Sequence, residues 1–222
     1  MSLTNIGMKN LLIINASPRG ERSVTRRLTN LFATKWIEAH PDYAIHHREV
    51  GKEAIPHVSE LWIAAAAKSA ELRTEDEANE LKLSDQFIAE IKAADVIVLG
   101  TPMFNWSIPS ALKAYLDQVI RANETVKMRP DDPQNPYRGL LKDKRVYMFF
   151  SRGNAGYEKG EYFAHMNFQA DYLKTVFNIM GLTEIQEIAL NGSAFDKRIY
   201  EQSTKAVYNK IVEMASNGKI GA

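Results

Sequence analysis

The sequence predicts an α/β protein built on a doubly wound parallel sheet of five strands, in the order 2-1-3-4-5, with helices on both faces. Short apolar runs alternate with longer amphipathic segments from the start of the chain to its end, which is the pattern of parallel strands joined by helical crossovers. The 222 residues contain no internal repeat and no stretch that resembles a linker. We therefore expect one domain over residues 9–222, preceded by a flexible lead at residues 1–8.

The first half of the chain supplies two strands and three helices. Residues 9–15 form an apolar run that is too short to cross a membrane and of the right length for a buried strand. Ser23 is a good N-cap for a helix over about 23–39, whose apolar residues share one face. Residues 43–50 alternate as a second strand. The other two helices are expected at about 56–70 and 75–93.

The second half begins with the strongest strand signal, the β-branched run at residues 95–100. Pro109 and Ser110 then open a helix to about residue 122, since proline is favoured in a first turn. Gly181 is expected to end a helix that begins near residue 161. The last elements are expected to be strands at 144–151 and 183–190 and a helix at 196–216. Residues 123–143, which hold three prolines, are expected to form a surface excursion or hairpin.

Composition excludes several classes of function. The formal net charge of +1 provides no field that would favour nucleic acid or an anionic membrane. The absence of cysteine rules out disulfides, thiolate metal sites and a cysteine nucleophile, and it fits a cytoplasmic protein. No apolar run reaches the length of a membrane span, and the start of the chain does not resemble a signal peptide.

In a doubly wound sheet, ligands bind beyond the carboxyl ends of the strands, where the strand order reverses. Three loops are expected to converge there: 17–25, 101–106 and 151–154. The first loop leads into a helix N-terminus, where free N–H groups and the helix dipole favour a phosphate. Ser17, Ser23 and Thr25 add hydroxyl groups, and Arg19 and Arg22 add charge. The alternative is an ordinary polar turn, since neither common glycine-rich phosphate motif is present.

The second loop is rich in large side chains directly after the strongest strand. Met103, Phe104 and Trp106 could lie against a flat heterocycle, while Asn105 and backbone N–H groups read its polar edge. The alternative is that these side chains only cover the strand ends. In the third loop, Gly153 lets the backbone approach a ring closely, although a plain turn would also favour glycine there.

The strings in these loops resemble those of the FMN-dependent NADH:quinone oxidoreductases known as azoreductases, a family with a flavodoxin-like fold. The resemblance extends from about residue 9 to the last helix. The matching strings are Ser17-Pro18-Arg19-Gly20-Glu21-Arg22-Ser23, Pro102-Met103-Phe104-Asn105-Trp106-Ser107-Ile108-Pro109-Ser110, and Ser151-Arg152-Gly153.

The resemblance implies that these loops bind FMN. The residues expected at the phosphate are Ser17, Arg19, Ser23, Val24 and Thr25. The residues expected along the isoalloxazine are Pro102, Met103, Phe104, Asn105 and Trp106. The residues expected at its pyrimidine side are Ser151, Arg152, Gly153 and Asn154. Phe104 stands where the family often has tyrosine, and Trp106 stands where phenylalanine is usual.

The resemblance also implies a reaction and an assembly. A homodimer would pass a hydride from NADH or NADPH through FMN to a quinone or an azo compound, by ping-pong kinetics. No protein side chain is assigned as catalytic, because the flavin carries the redox chemistry, and no metal is expected. The alternatives are another NAD(P)H-dependent FMN reductase, a flavodoxin-type electron carrier and a flavin-free interaction module. The near-neutral charge argues against the carrier, because carriers are usually strongly acidic.

Overall fold

A computed structural model describes residues 8–52, 54–195 and 197–217. Its main sheet has five parallel strands, which lie in the order 2-1-3-4-5 when they are counted along the chain, so the predicted order is confirmed. The labels β4 and β5 are kept for a separate hairpin that comes between the third and fourth of these strands in the chain. The strands of this sheet are Lys9–Asn15 (β1), Tyr43–Arg48 (β2), Val96–Pro102 (β3), Arg145–Ser151 (β6) and Glu184–Leu190 (β7). Residues 1–7 of the expected flexible lead, and Asp196 at the expected start of the last helix, lie outside the described residues.

Six α-helices connect and flank the strands in the described part of the chain. They are Val24–Ala39 (α1), Glu60–Ala66 (α2), Glu75–Ala93 (α3), Ser110–Val119 (α4), Ala170–Met180 (α5) and Lys197–Ser216 (α6). Within the three described ranges, none of the helices combines the length and the apolar character that a bilayer span requires.

Alternate residues of β1 belong to two different apolar clusters. Leu12 and Ile14 pack with buried residues of α3, α4 and α5, whereas Leu11 and Ile13 pack with buried residues of α1 and α6. This division follows from the two-residue period of a strand, which points successive side chains to opposite faces. Each cluster thereby joins the sheet to a different set of helices.

The excursion after α4 contains a short antiparallel hairpin, Val126–Met128 (β4) paired with Tyr137–Gly139 (β5). Its base is fixed to the body because the Leu141 N–H donates to the Met180 carbonyl oxygen over 2.9 Å. A Cβ atom on Gly139 would lie 2.1 Å from the Gly181 nitrogen. Gly181 ends α5 with φ at +96°, as the sequence predicts.

The largest correction concerns residues 161–180, which the sequence predicts as one helix. The structure has a 3₁₀ turn at Ala164–Met166, and α5 begins only at Ala170. The Asn167 Oδ1 accepts a hydrogen bond from the Ala170 N–H over 3.2 Å, so this side chain satisfies the first N–H of the helix. The apolar side chains before Asn167 therefore belong to an irregular segment.

Smaller corrections affect other boundaries. The helix predicted to about residue 70 ends at Ala66, where Arg73 Nε donates to the Ala65 carbonyl oxygen over 2.9 Å. The helix predicted to about residue 122 ends at Val119, whose carbonyl oxygen accepts from Thr125 Oγ1 over 2.8 Å. In both places a side chain supplies the donor that the next helical N–H would have provided.

Candidate functional site

A cleft of about 380 Å³ lies at the carboxyl edge of the sheet, where β1, β3 and β6 end. It brings the three predicted loops together. The predicted residues that line it are Ser17, Arg19, Ser23, Val24, Thr25, Pro102, Met103, Phe104, Ser151 and Gly153. The convergence expected at the strand-order reversal is therefore present in the structure.

One end of this cleft is a polar cradle at the start of α1. Ser23 is the N-cap, and its Oγ accepts from the Arg26 N–H over 3.2 Å. Its hydroxyl lies 3.1 Å from Thr25 Oγ1, and both side chains are buried. Val24 and Thr25 stand in the first turn, where backbone N–H groups have no acceptor within the helix. The cradle thus offers hydroxyl groups, two free N–H groups and the positive end of a helix dipole.

Arginine side chains surround the mouth of the cradle. Arg19, Arg22 and Arg27 line the cleft and are exposed. Arg27 Nη2 donates to the Tyr200 hydroxyl oxygen over 3.3 Å. Sequence reasoning found Arg19 and Arg22 but missed Arg27, because this residue lies in the second turn of the helix, beyond the loop that carries the phosphate signal.

The cradle has a partly buried ion pair behind it. The Arg26 guanidinium donates from Nη1 to Glu49 Oε1 over 2.7 Å and from Nη2 to Glu49 Oε2, so the contact is bidentate. This hydrogen bonding lowers the pKa of the Glu49 carboxyl below its ordinary value and raises that of Arg26. Both groups are therefore charged at neutral pH.

The second predicted loop forms a tight turn at the other end of the cleft. Phe104 and Ser107 exchange both backbone hydrogen bonds over 3.0 Å. Asn105 and Trp106 occupy the two central positions with φ at +48° and +64°. Positive φ at both positions is the type I′ pattern, which usually takes Asn-Gly. A tryptophan in the second position is strained by about 1 kcal/mol or more, and its side chain is 48% exposed.

A second cleft, of about 410 Å³, adjoins the first and shares Met103 and Gly153 with it. Four predicted residues are missing from the first cleft, and three of them, Asn105, Trp106 and Asn154, line this one. The other walls are the apolar side chains Tyr157, Phe163, Met166 and Phe195. Sulfur and aromatic groups of this kind suit a flat, polarizable ligand.

Arg152 is placed differently from the other predicted residues. Its side chain is 1% exposed and belongs to the lining of neither cleft described above. Its Nη1 donates to Glu158 Oε1 over 2.6 Å, and its Nε donates to Gln169 Oε1 over 3.1 Å. Gln169 Nε2 in turn donates to the Thr101 carbonyl oxygen over 3.3 Å. Arg152 thus connects the end of β6 to the irregular segment that carries the walls of the second cleft.

Sequence reasoning missed a fourth loop. Ser193 and Ala194 line the first cleft, and Phe195 lines the second. The Ser193 N–H donates to the Arg152 carbonyl oxygen over 3.2 Å, which brings the segment after β7 beside the third loop. The signal was available, because these residues follow the last strand at the same edge of the sheet. Among the residues that the structure describes, no cluster of three histidine or acidic side chains could hold a metal ion.

The sheet order and the cleft at its carboxyl edge define a protein of the flavodoxin-like class, and a family model described as a flavodoxin-like fold matches residues 9–213. The structure is also similar to the crystal structure of an azoreductase from Bacillus anthracis. The TM-score is 0.84 and the sequence identity is 25%, with 95% of this chain and 100% of the other covered.

Curated relatives are more similar in sequence. An FMN-dependent NADH:quinone oxidoreductase of Nostoc punctiforme is 42% identical over 184 residues, which cover 83% of this chain and 87% of the relative. An FMN-dependent NAD(P)H:quinone oxidoreductase of Pseudomonas aeruginosa is 36% identical over 209 residues, which cover 94% and 99%. The chain belongs to this family of FMN-dependent quinone oxidoreductases.

Proposed function

We propose that this protein is an FMN-dependent oxidoreductase that transfers a hydride from NADH or NADPH to quinones and azo compounds. The observation that carries the proposal is the continuous cleft at the carboxyl edge of the sheet. One of its ends is a cradle for a phosphate, and the other opens into an aromatic cleft. The names of the relatives support the same reaction.

The residues of the cradle fit the phosphate of FMN. The side chains of Ser17, Ser23 and Thr25 line the cleft beside the backbone N–H groups of Val24 and Thr25. Arg19 adds an exposed positive charge at the mouth, where it can pair with a dianion while remaining hydrated. A neutral sugar could accept hydrogen bonds here but would bring no negative charge to the arginines and the helix dipole.

The ring of the flavin would lie where the two clefts meet. Met103 and Gly153 line both clefts, and a Cβ atom on Gly153 would lie 3.2 Å from Ala194 Cβ. Glycine therefore keeps this junction open to a flat group. When bound, FMN supplies the two-electron chemistry, in which NADH, one proton and a quinone give NAD⁺ and a hydroquinone.

The second cleft would receive the nicotinamide and the electron acceptor in turn. Trp106, Tyr157 and Phe163 offer stacking surfaces for such flat groups and exclude water from one side of them. Asn105, Asn154 and Arg152 stay among the predicted cofactor residues. Asn105 and Asn154 would act from the walls of the second cleft, whereas Arg152 would act from behind them.

The proposal includes a homodimer and a single domain over residues 9–222, with helices on both faces of the sheet. The two apolar clusters support the placement of the helices.

Large exposed side chains near the second cleft, Tyr162, Phe168 and Phe195, support a surface that a second copy covers. The cytoplasmic location stays a prediction. Light scattering at several protein concentrations measures the assembly, and a monomer at all of them would contradict the dimer.

The test of the activity uses the FMN-loaded protein under anaerobic conditions. NADH or NADPH is expected to bleach the visible absorbance of the flavin, and a benzoquinone is expected to restore it with formation of one hydroquinone per nicotinamide oxidised. Bound FMN that neither nicotinamide reduces would contradict the enzyme and indicate an electron carrier. A protein that takes up no FMN would contradict both.

A further inference from the structure

We propose that Arg26 is a positioning residue for the phosphate cradle and that Glu49 holds it in place. The inference deepens the proposed function and rests on it, because it concerns the site where the FMN phosphate would bind. Arg26 does not line the cleft, and it would act on the ligand through the backbone of the first loop.

The Arg26 side chain turns back from α1 to the loop that precedes the helix. Its Nε donates to the Gly20 carbonyl oxygen over 3.1 Å, and the same oxygen accepts from the Ser23 N–H over 3.0 Å. Gly20 has φ at +55°, a conformation that glycine adopts readily. The guanidinium thus fixes the turn that aims Ser23 and the first N–H groups of α1 into the cleft.

Glu49 connects the guanidinium to the sheet. Its carboxylate receives the bidentate contact from Arg26, and its Oε1 also accepts from Asn15 Nδ2 over 3.0 Å. Asn15 Oδ1 accepts from Thr29 Oγ1 over 2.9 Å. This run of hydrogen bonds connects the last residue of β1, the residue after β2 and the second turn of α1, so the loop has fixed points on three elements.

Close backbone packing holds the same region. The Gly51 N–H donates to the Asn15 carbonyl oxygen over 3.0 Å, and a Cβ atom on Gly51 would lie 2.4 Å from the carbonyl group of Ser17. A Cβ atom on Gly100 would lie 2.6 Å from Thr29 Cγ2. A side chain at Gly51 or Gly100 would therefore collide with the first loop or with α1. Little movement of the loop is left once Arg26 is fixed.

The charges around the cradle determine the direction in which the loss of Arg26 changes phosphate binding. Arg26 and Glu49 together are neutral, so the positive field at the cradle comes from Arg19, Arg22, Arg27 and the helix dipole. Removing Arg26 alone leaves the Gly20 carbonyl with the Ser23 N–H but without the guanidinium. It also leaves the Glu49 carboxylate, behind a phosphate site, with the Asn15 amide but without a neutralising positive charge. Both changes weaken the binding of a dianion, and neither concerns the ring of the flavin.

The experiment compares FMN with riboflavin, which has the same ring and no phosphate. Their dissociation constants are measured by quenching of flavin fluorescence on wild-type protein, Arg26→Gln and the double variant Arg26→Gln/Glu49→Gln. We expect Arg26→Gln to weaken FMN binding about thirtyfold and riboflavin binding less than threefold. The double variant, which lacks the bare carboxylate, is expected to regain at least a third of that loss on a logarithmic scale.

The chain offers a matched control in Arg48→Gln. The Arg48–Glu90 pair has side-chain exposures of 11% and 25%, close to the 9% and 25% of Arg26–Glu49, and it is also bidentate. It joins β2 to α3, and neither of its side chains lines the cleft that contains the cradle. Arg48→Gln is therefore expected to lower thermal stability about as much as Arg26→Gln and to leave the ratio of FMN to riboflavin affinity unchanged.

Each result distinguishes this inference from the proposed function. Equal losses for both flavins in Arg26→Gln, or an unchanged FMN affinity, would overturn the positioning role while FMN binding stands. Wild-type protein that binds riboflavin as tightly as FMN would overturn the phosphate site itself. If Arg26→Gln does not fold, Arg26→Lys replaces it, and a smaller selective loss of FMN affinity is expected because lysine keeps the charge without the guanidinium fork.

Discussion

The two ends of the cleft are built in different ways. The cradle at Ser23 to Thr25 consists of regular structure, since a helix begins there and a partly buried ion pair and close glycine contacts hold it from behind. The aromatic end consists of a strained turn at Asn105 and Trp106 and an irregular segment around a 3₁₀ turn. The two ends share only Met103 and Gly153 among their lining residues.

The two ends therefore differ in the ligand groups that they can select. A helix N-terminus with fixed hydroxyl groups presents one arrangement of donors, so it selects one kind of group, a phosphate. A wall of methionine and aromatic side chains on irregular backbone can repack around flat groups of different sizes. We therefore expect substitutions at the cradle to change cofactor affinity and substitutions at the aromatic end to change the range of acceptors.

The largest effect is expected from Ser23→Asp at the cradle. Aspartate is as good an N-cap as serine, so the helix keeps its first turn, but its carboxylate stands beside the phosphate. FMN affinity is expected to fall about a hundredfold, or about 2.7 kcal/mol. Ser23→Asn is the matched control, because it caps the helix without a charge. Equal dissociation constants for the two variants, measured by fluorescence titration, would remove the phosphate from this end of the cleft.

Arg152→Met tests the boundary between the two ends. It leaves the buried Gln169 side chain without a donor and Glu158 without its ion-pair partner, so we expect a loss of about 2 kcal/mol in the free energy of unfolding. FMN affinity is expected to stay within about threefold, because Arg152 is buried and lines neither cleft. Urea unfolding and flavin titration check the two expectations. A large loss of FMN affinity at unchanged stability would make Arg152 a direct cofactor ligand.

Trp106→Ala probes the aromatic end. Loss of the half-exposed indole is expected to raise the KM for a quinone about tenfold, through lost stacking, while thermal stability and FMN affinity change little. Alanine keeps the strain of the positive φ, so the backbone cost is the same in both proteins. Leu72→Ala, at a 72% exposed residue outside both clefts, is the control. An unaltered KM in steady-state kinetics, together with a large drop in thermal stability, would make Trp106 a packing residue.

The smallest effect is expected in the pH dependence of stability. Glu49 has a pKa below its ordinary value when folded, because Arg26 donates hydrogen bonds to the carboxylate. Its stabilisation is therefore complete above the ordinary pKa and is lost as the pH falls through the folded pKa. Urea unfolding between about pH 6 and pH 3 should show a steeper decline for wild-type protein than for Glu49→Gln, by up to about 1 kcal/mol. Parallel profiles would show that the pair adds nothing to stability.

The sequence was sufficient for the parts that regular structure determines. The β-branched run at β3, the N-cap at Ser23 and the terminating Gly181 each reflect a local rule, and the structure confirms all three. The carboxyl-edge rule then brought Ser17, Met103 and Gly153 to one cleft. The proline-rich stretch after α4 contains the hairpin that the sequence allowed for.

The aromatic end could not be predicted in the same way. The predicted helix from about residue 161 would include Phe163 and Met166, but in the structure these two residues form the wall of a cleft together with Tyr157. Their spacing fits a buried helix face and a ligand wall equally well, because periodicity reports burial and not what covers the side chain. The positive φ of Trp106 also violates the local rule for bulky residues, so only the surrounding structure can impose it.

The proposed function depends most on the first turn of α1, which would hold the phosphate of FMN. A titration of ¹⁵N-labelled protein with FMN, followed by amide resonances in transverse-relaxation-optimised NMR spectra, tests it most directly. We expect large shifts of the Val24 and Thr25 amide resonances with FMN and much smaller ones with riboflavin. The Gly153 amide resonance is expected to shift with both. Saturable FMN binding that leaves the Val24 and Thr25 resonances in place would show that the phosphate does not bind at the first turn of α1.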